Sequence, residues 1–420
     1  QNQDVTSNFG VAVVLWEERK IDHYNGEYYG WTETKNVPLA AFSYLPFFAD
    51  TVKGADNGII QNVSKEGDVN PVSGQTDDAN AIIRSANQLS LLSTFENSKD
   101  NAYLNGWKKI IIEQQMDIAV DENTFSNGYE YVFNRISGNT SYPEYRSSLR
   151  KNAESDHDYY ILKGLRKPFI GVLQAAIIRN MQIVDIKARY FSEKLTYNTG
   201  LVENIYIEDA IFGKGADQTD LTEGGFASYI QGAKIQNCHI TNAVIRGDGF
   251  AKTIQHSAEV KNCSIVNAVI SGNGFASEIN VATVDSCSVY ADPETFSTVE
   301  SDKYYSRNYK PARNGNYGKL VIGIDNSGSR SNQDIAGFVQ SVGSGKTKVL
   351  NCSVAGMVYG QNVSGFASKI DNGAQVQNCY ANVMIDAGVS AAGFTFTVGS
   401  NKETKVINCH ALGTISALNN

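Results

Sequence analysis

One phrase recurs along this chain: a Gly-Phe pair, then an Asn-Cys pair 12 to 15 residues after the Phe. The six Gly-Phe pairs carry Phe226, Phe250, Phe275, Phe338, Phe366 and Phe394. Each precedes one of the six cysteines: Cys238, Cys263, Cys287, Cys352, Cys379 and Cys409. The register extends upstream without cysteine, from Phe169 to Met181 and from Phe191 to Ile205. Before the slot stand Asn180, Asn204, Asn237, Asn262, Ser286, Asn351, Asn378 and Asn408. A unit this short cannot bury its own apolar face, so the units must stack.

Within a unit such as "AEVKNCSIVNAVISG", Val260, Cys263, Ile265, Ala268 and Ile270 fall in short alternating runs broken by Asn and Gly. Period-two fragments are strands, three to a unit of about 24 to 28 residues. The expectation is an all-β chain, a right-handed parallel β-helix (solenoid) of about eight coils, with handedness following the general preference of parallel crossovers. Coils stacked at about 4.8 Å would align the Phe and Cys positions into interior columns. The slot also takes Met and Ile, so it asks for a compact apolar side chain. Three disulfides are the rival reading. Stacked rungs hold Cβ atoms farther apart than the ~3.8 Å a disulfide wants, so buried free thiols are favoured. The cysteines also lack the close pairing of a zinc site. The Asn before the slot fits a left-handed bend, with an outward polar strand position as the alternative.

The phrases "GGFASYIQGAKIQNCHITNAVIRG", "GFAKTIQHSAEVKNCSIVNAVISG" and "GFVQSVGSGKTKVLNCSVAGMVYG" resemble the GLUG-type repeat of secreted and surface adhesin-like β-helical proteins. The segment "ILKGLRKPFIGVLQAAIIRNMQIVDIKA" looks like a first full repeat after a capping region. The chain departs from that repeat in placing Ala, Val or Thr after the Phe. The resemblance spans about residues 76 to 420, most closely from 164 onward. It implies a right-handed β-helix, a secreted or cell-surface location, and an adhesive or structural role without transferable catalytic residues.

Residues 1–75 do not fit the repeat and read as a small N-terminal β module, from "NFGVAVVLWEERKIDHYNGEYYGWTET" and "LAAFSYLPFFADTV". Residues 76–164 read as a capping region. There Ser85 and Gln88 form a capping box, and Leu89, Leu92 and Phe95 share one face of a helix near 85–97. Strands from "WKKIIIEQQMDIAV" and "YEYVFNRI" then lead into the coils of 165–420. Two insertions, near 212–224 and 291–335, must bulge outward as loops. "VINCHALGTISALNN" ends on an uncovered rung, an edge expected to continue the chain or to meet another subunit.

Net charge of −8 leaves no basic face for nucleic acid, and no apolar run reaches the length of a membrane span. The start at Gln1 is consistent with a mature or trimmed chain. "QSVGSGKT" lacks the first Gly of a phosphate loop and the helix that would follow it. Asp217, Asp220 and Glu223 suit a solvated acidic turn better than a calcium cup. Asp325 and Asp334 flank a Gly/Ser-rich turn, and His239 and His410 point outward on distant coils. No metal or cofactor is implied. Sequons at Asn62, Asn139, Asn262, Asn351 and Asn362 allow glycosylation in a eukaryotic source.

The second insertion carries the candidate binding residues Lys303, Tyr304, Tyr305, Arg307, Tyr309, Lys310 and Arg313. From Lys303 to Lys319 there are five basic residues, four tyrosines and no acid. Tyr and Arg are enriched at hot spots and form platforms for sugars, whereas the bland reading is a solvated loop. The function expected is extracellular adhesion or structure, with a glycan or protein partner and self-association through the open rung. Its rivals are a polysaccharide lyase or hydrolase, which needs paired carboxylates, and a filament subunit.

Overall fold

The computed structural model describes residues 111–417 apart from 122–123, 125–129, 138–143, 151–152, 154, 156–157, 197–199, 214–222, 292–319, 325–328 and 401–402. Before residue 111 it describes 16–24, 29–38, 63–64, 68–69, 81–90 and 92. The chain is all-β with many parallel strands and one short helix, Ala86–Ser90, among the described residues.

Pairing is parallel and in register from each unit to the next. A nine-stranded sheet runs from Phe133–Ser137 through Ile170–Gln174, Ser192–Thr196 and Ala227–Gln231 to Ala367–Ile370 and Thr395–Val398. Along it Leu173, Leu195, Ile230, Ile254, Ile279, Val342 and Ile370 are successive partners, one aliphatic side chain per unit. A second, larger sheet contains Ile177–Val184, Leu201–Glu208 and Lys234–Ile245, and aligns Met181, Ile205 and Cys238 as the slot. Val202, Ile235, Val260, Val284, Val349, Val376 and Val406 make a third column. Branched side chains suit these pleated surfaces, and every member of the column but Val406 is buried.

The Phe column is continuous. Ring centroids from Phe226 to Phe394 lie 4.6 to 4.9 Å apart with planes within 7° of parallel. The preceding Gly explains that closeness. A Cβ on Gly274 would stand 1.8 Å from the Gly337 carbonyl oxygen, and one on Gly365 would stand 1.9 Å from that of Gly393. Where Pro168 and Tyr190 replace this Gly, the gaps widen to 5.6 Å (Phe169–Phe191) and 5.0 Å (Phe191–Phe226).

The bends are left-handed. Asn180, Asn204, Asn237, Asn262, Ser286, Asn351, Asn378 and Asn408 all have φ between 51° and 58°. Asn tolerates this region better than most residues. Each amide also bonds the unit before it: Asn204 Nδ2 donates to Asn180 Oδ1 (2.9 Å), Asn237 to Asn204 (2.7 Å) and Asn262 to Asn237 (3.1 Å). At the Ser286 gap the Asp285 carboxylate takes over, accepting from Asn351 Nδ2 (2.8 Å).

Parallel pairing starts upstream of residue 165, with Ala81–Ile83 against Ile111–Gln114. Ser85 Oγ accepts the Gln88 N–H (3.2 Å), while the Gln88 side chain accepts from the Arg84 N–H (2.7 Å). Leu89 and Leu92 are buried in one cluster with Ile83 and Ile112; Phe95 lies outside the described residues. In 1–75 the described pairs are antiparallel, Trp16–Tyr24 with Tyr29–Pro38 and Val63–Ser64 with Asp68–Val69. The apolar run after residue 38 lies outside the described residues. Within 291–335 the stack takes up Val321–Ile322 and Ile335–Ala336. No helix among the described residues is long and apolar enough to cross a membrane.

Phe275→Ala removes a fully buried ring with a neighbour 4.8 Å away on each side. It should cost about 3–5 kcal/mol in chemical denaturation, and a loss below about 1 kcal/mol would place the column outside the core.

Candidate functional site

All seven candidate binding residues, Lys303, Tyr304, Tyr305, Arg307, Tyr309, Lys310 and Arg313, lie outside the described residues, as do Asp217, Asp220 and Asp325. Glu223 is described and is held by Arg189, whose Nε donates to it at 3.2 Å. Asp334 accepts from Asn362 Nδ2 at 2.6 Å. No group of three or more His, Cys, Asp or Glu among the described residues could hold a metal ion. The "QSVGSGKT" segment joins strand Val339–Gly343 to Lys348–Leu350 without a helix, and Thr347 Oγ accepts from the Val281 N–H (2.7 Å).

All six cysteines are unpaired; five are buried and Cys409 is half-buried. Each Sγ lies against a carbonyl two residues back, as in Cys238 to Gln236 O (3.3 Å) and Cys352 to Leu350 O (3.0 Å). Burial pushes the Cys263 and Cys352 thiols up, away from the reactive thiolate. A thiol reagent should modify Cys409 first and the other five only on unfolding. Early modification of several thiols would contradict the sealed column.

Near the start of the stack, charges form a chain across units. Arg146 Nε donates to Glu113 (2.9 Å), and Arg146 Nη1 meets Glu144 (3.3 Å). Arg179 Nε bonds that same Glu144 oxygen (2.7 Å), and Arg179 Nη1 reaches Glu203 (3.6 Å). Glu113 and Glu144 are almost wholly buried, so their charges depend on these partners. In a separate group, Tyr131 donates to Glu193 and lies 3.3 Å from the Tyr190 hydroxyl. Burial holds both phenols well above their ordinary value, Tyr190 at about 12. These groups satisfy one another and keep no free acid–base pair.

Asp248, 1% exposed, sits two residues before Phe250. Its Oδ1 accepts from the N–H (2.9 Å) and Nδ2 (2.8 Å) of Asn273, and its Oδ2 from Ser277 Oγ (2.6 Å). Asn273 Oδ1 in turn accepts from the Ala336 N–H (2.9 Å). Three units are thus tied at one corner. Desolvation outweighs these donors and pushes the carboxyl up to about 6. A raised acid is protonated more readily folded than unfolded. Its stabilising contribution is full below the unfolded value of 3.8 and is lost as pH rises through about 6. About two units correspond to ~3 kcal/mol. Asp248→Asn should flatten the fall in stability between pH 4 and 6, measured by denaturation midpoints across pH; an unchanged slope would show that Asp248 does not set it.

The outer position beside the cysteine slot forms its own column. Tyr206 stacks on His239 at 5.4 Å, and Tyr380 on His410 at 5.6 Å. His239 Nδ1 lies 2.7 Å from Ser264 Oγ, and its Nε2 lies 2.9 Å from Asn237 Oδ1. The two histidines lie in separate units with their own Tyr neighbours. Spacing alone misses the His239 set because its members belong to neighbouring units. Aligning the slots reveals it, since His239 and Ser264 hold the same place. No known protein family, curated protein or solved structure matches the chain.

Proposed function

We propose that this chain is a right-handed parallel β-helix of the GLUG-like kind, secreted or surface-displayed, with an adhesive or structural role. The observation that carries the reading is the run of identical columns, above all the Phe rings, in which each unit adds length and sidewall. Most repeat positions go to holding the stack, which suits a rigid spacer presenting loops. The basic, Tyr-rich segment 303–313 is the part of this reading that contacts an anionic glycan or an acidic protein face.

Self-association is a further part of the proposal, with the last described unit as the surface it would use. Leu412 is 61% exposed and Ile415 54% exposed, although their strand, His410–Ala417, continues the register of Tyr380–Ala392. A further in-register rung from any chain would cover them. Sedimentation across protein concentrations reads this directly, and a strict monomer at high concentration removes the assembly part of the proposal.

The binding part is tested with immobilised polygalacturonate. Replacing Arg307, Lys310 and Arg313 together by Ser should weaken retention about tenfold, and added salt should weaken it further. Retention equal to that of the unaltered chain would remove this segment as the contact. Cleavage of the polysaccharide would favour the enzyme reading instead.

A further inference from the structure

The direction of the Asn column decides the chemistry of the histidine beside it. Asn237 Nδ2 donates to Asn204 Oδ1 (2.7 Å) and to the Tyr206 hydroxyl (2.9 Å). Its Oδ1 therefore faces Asn262 Nδ2 (3.1 Å) and His239 Nε2 (2.9 Å). A carbonyl oxygen only accepts, so Nε2 carries the ring hydrogen. In the neutral imidazole Nδ1 then holds a lone pair, and Ser264 Oγ, 2.7 Å away, donates to it. Strand register pairs His239 with Ser264, and the Tyr206 ring, 26° from parallel, holds the imidazole plane. A serine hydroxyl, a base with its lone pair toward that hydroxyl and a third group fixing the tautomer are what nucleophilic acyl transfer requires.

We propose that Ser264, His239 and Asn237 act as nucleophile, general base and positioning residue, and that Ser264 takes an acyl group from an activated carboxylic ester. Ser264 Oγ forms the new bond to the acyl carbon as the ester C–O bond breaks. Its proton passes to His239 Nδ1 and from there to the departing alkoxide or phenolate. Ser264 is 8% exposed, which limits water around the hydroxyl and favours a stable acyl adduct over turnover. The inference goes beyond the adhesive reading and does not depend on it.

The probe is p-nitrophenyl acetate on the full chain, followed by phenolate release and peptide mass mapping. The expected result is acetyl on Ser264, at a rate that rises with pH as the imidazole loses its proton. Ser264→Ala should lose it. His239→Gln should slow it at least about 100-fold, the usual contribution of a general base. Asn237→Asp should shift the pH profile upward, because a carboxylate beside the ring favours its protonated form, a change that loss of packing alone would not give. Acetyl confined to lysines, or equal labelling of Ser264 in His239→Gln, overturns the proposal. If a variant fails to fold, the imidazole nitrogen shifts of the unaltered protein still decide: hydrogen on Nδ1 rather than Nε2 overturns it.

Discussion

Parallel pairing in register is the constraint from which the rest follows. It places equivalent residues of successive units a strand spacing apart, so each position must tolerate copies of itself above and below. Aromatic rings meet that demand by stacking in the Phe226 to Phe394 run, aliphatic chains by packing in the Leu173 to Ile370 run, and amides by bonding head to tail. Charges meet it with help from the side: Arg146 and Arg179 are register partners, and Glu144, two positions before Arg146, bonds both, while Glu113 and Glu203 close the column at its ends. Glycine before the Phe is the same rule applied to the backbone, where a neighbouring carbonyl occupies the space a side chain would need.

Much of the stack is legible in the sequence because its rules are local and repeated. Asn at the bend announces a positive φ, the Phe and Cys positions announce interior columns, and alternation gives the strands. Upstream of Leu165 the repeat fades, yet Ala81–Ile83 already pairs in parallel with Ile111–Gln114. Ile111–Gln114 is legible in "WKKIIIEQQMDIAV", whereas Glu144–Ser147, with Glu144 and Arg146 buried, lacks the apolar pattern of a strand. Asp248 escapes for a related reason. A single polar residue before Gly-Phe reads as a turn, and only its depth and the donors of Asn273 and Ser277 mark it as a buried carboxyl whose proton affinity desolvation raises. The seven residues chosen from composition, Lys303 to Arg313, lie where the structure describes nothing.

The side-chain network on the outer face depends on the inner repeat. An amide column has a sense, every Nδ2 directed toward the preceding unit, and that sense orients Asn237 before His239 is considered. Where Ser286 interrupts the column, Asp285 accepts in its place, so the run resumes with the same polarity at Asn351.

Between Phe275 and Phe338 the chain makes its longest excursion from the repeat, yet the two rings sit 4.8 Å apart, the same as Phe250 and Phe275. The core does not register how much polypeptide separates two of its layers. Mutation can therefore lengthen, shorten or exchange whatever leaves the stack there while the spine stays intact, and a surface exposed to rapid selection can diversify on an unchanging support.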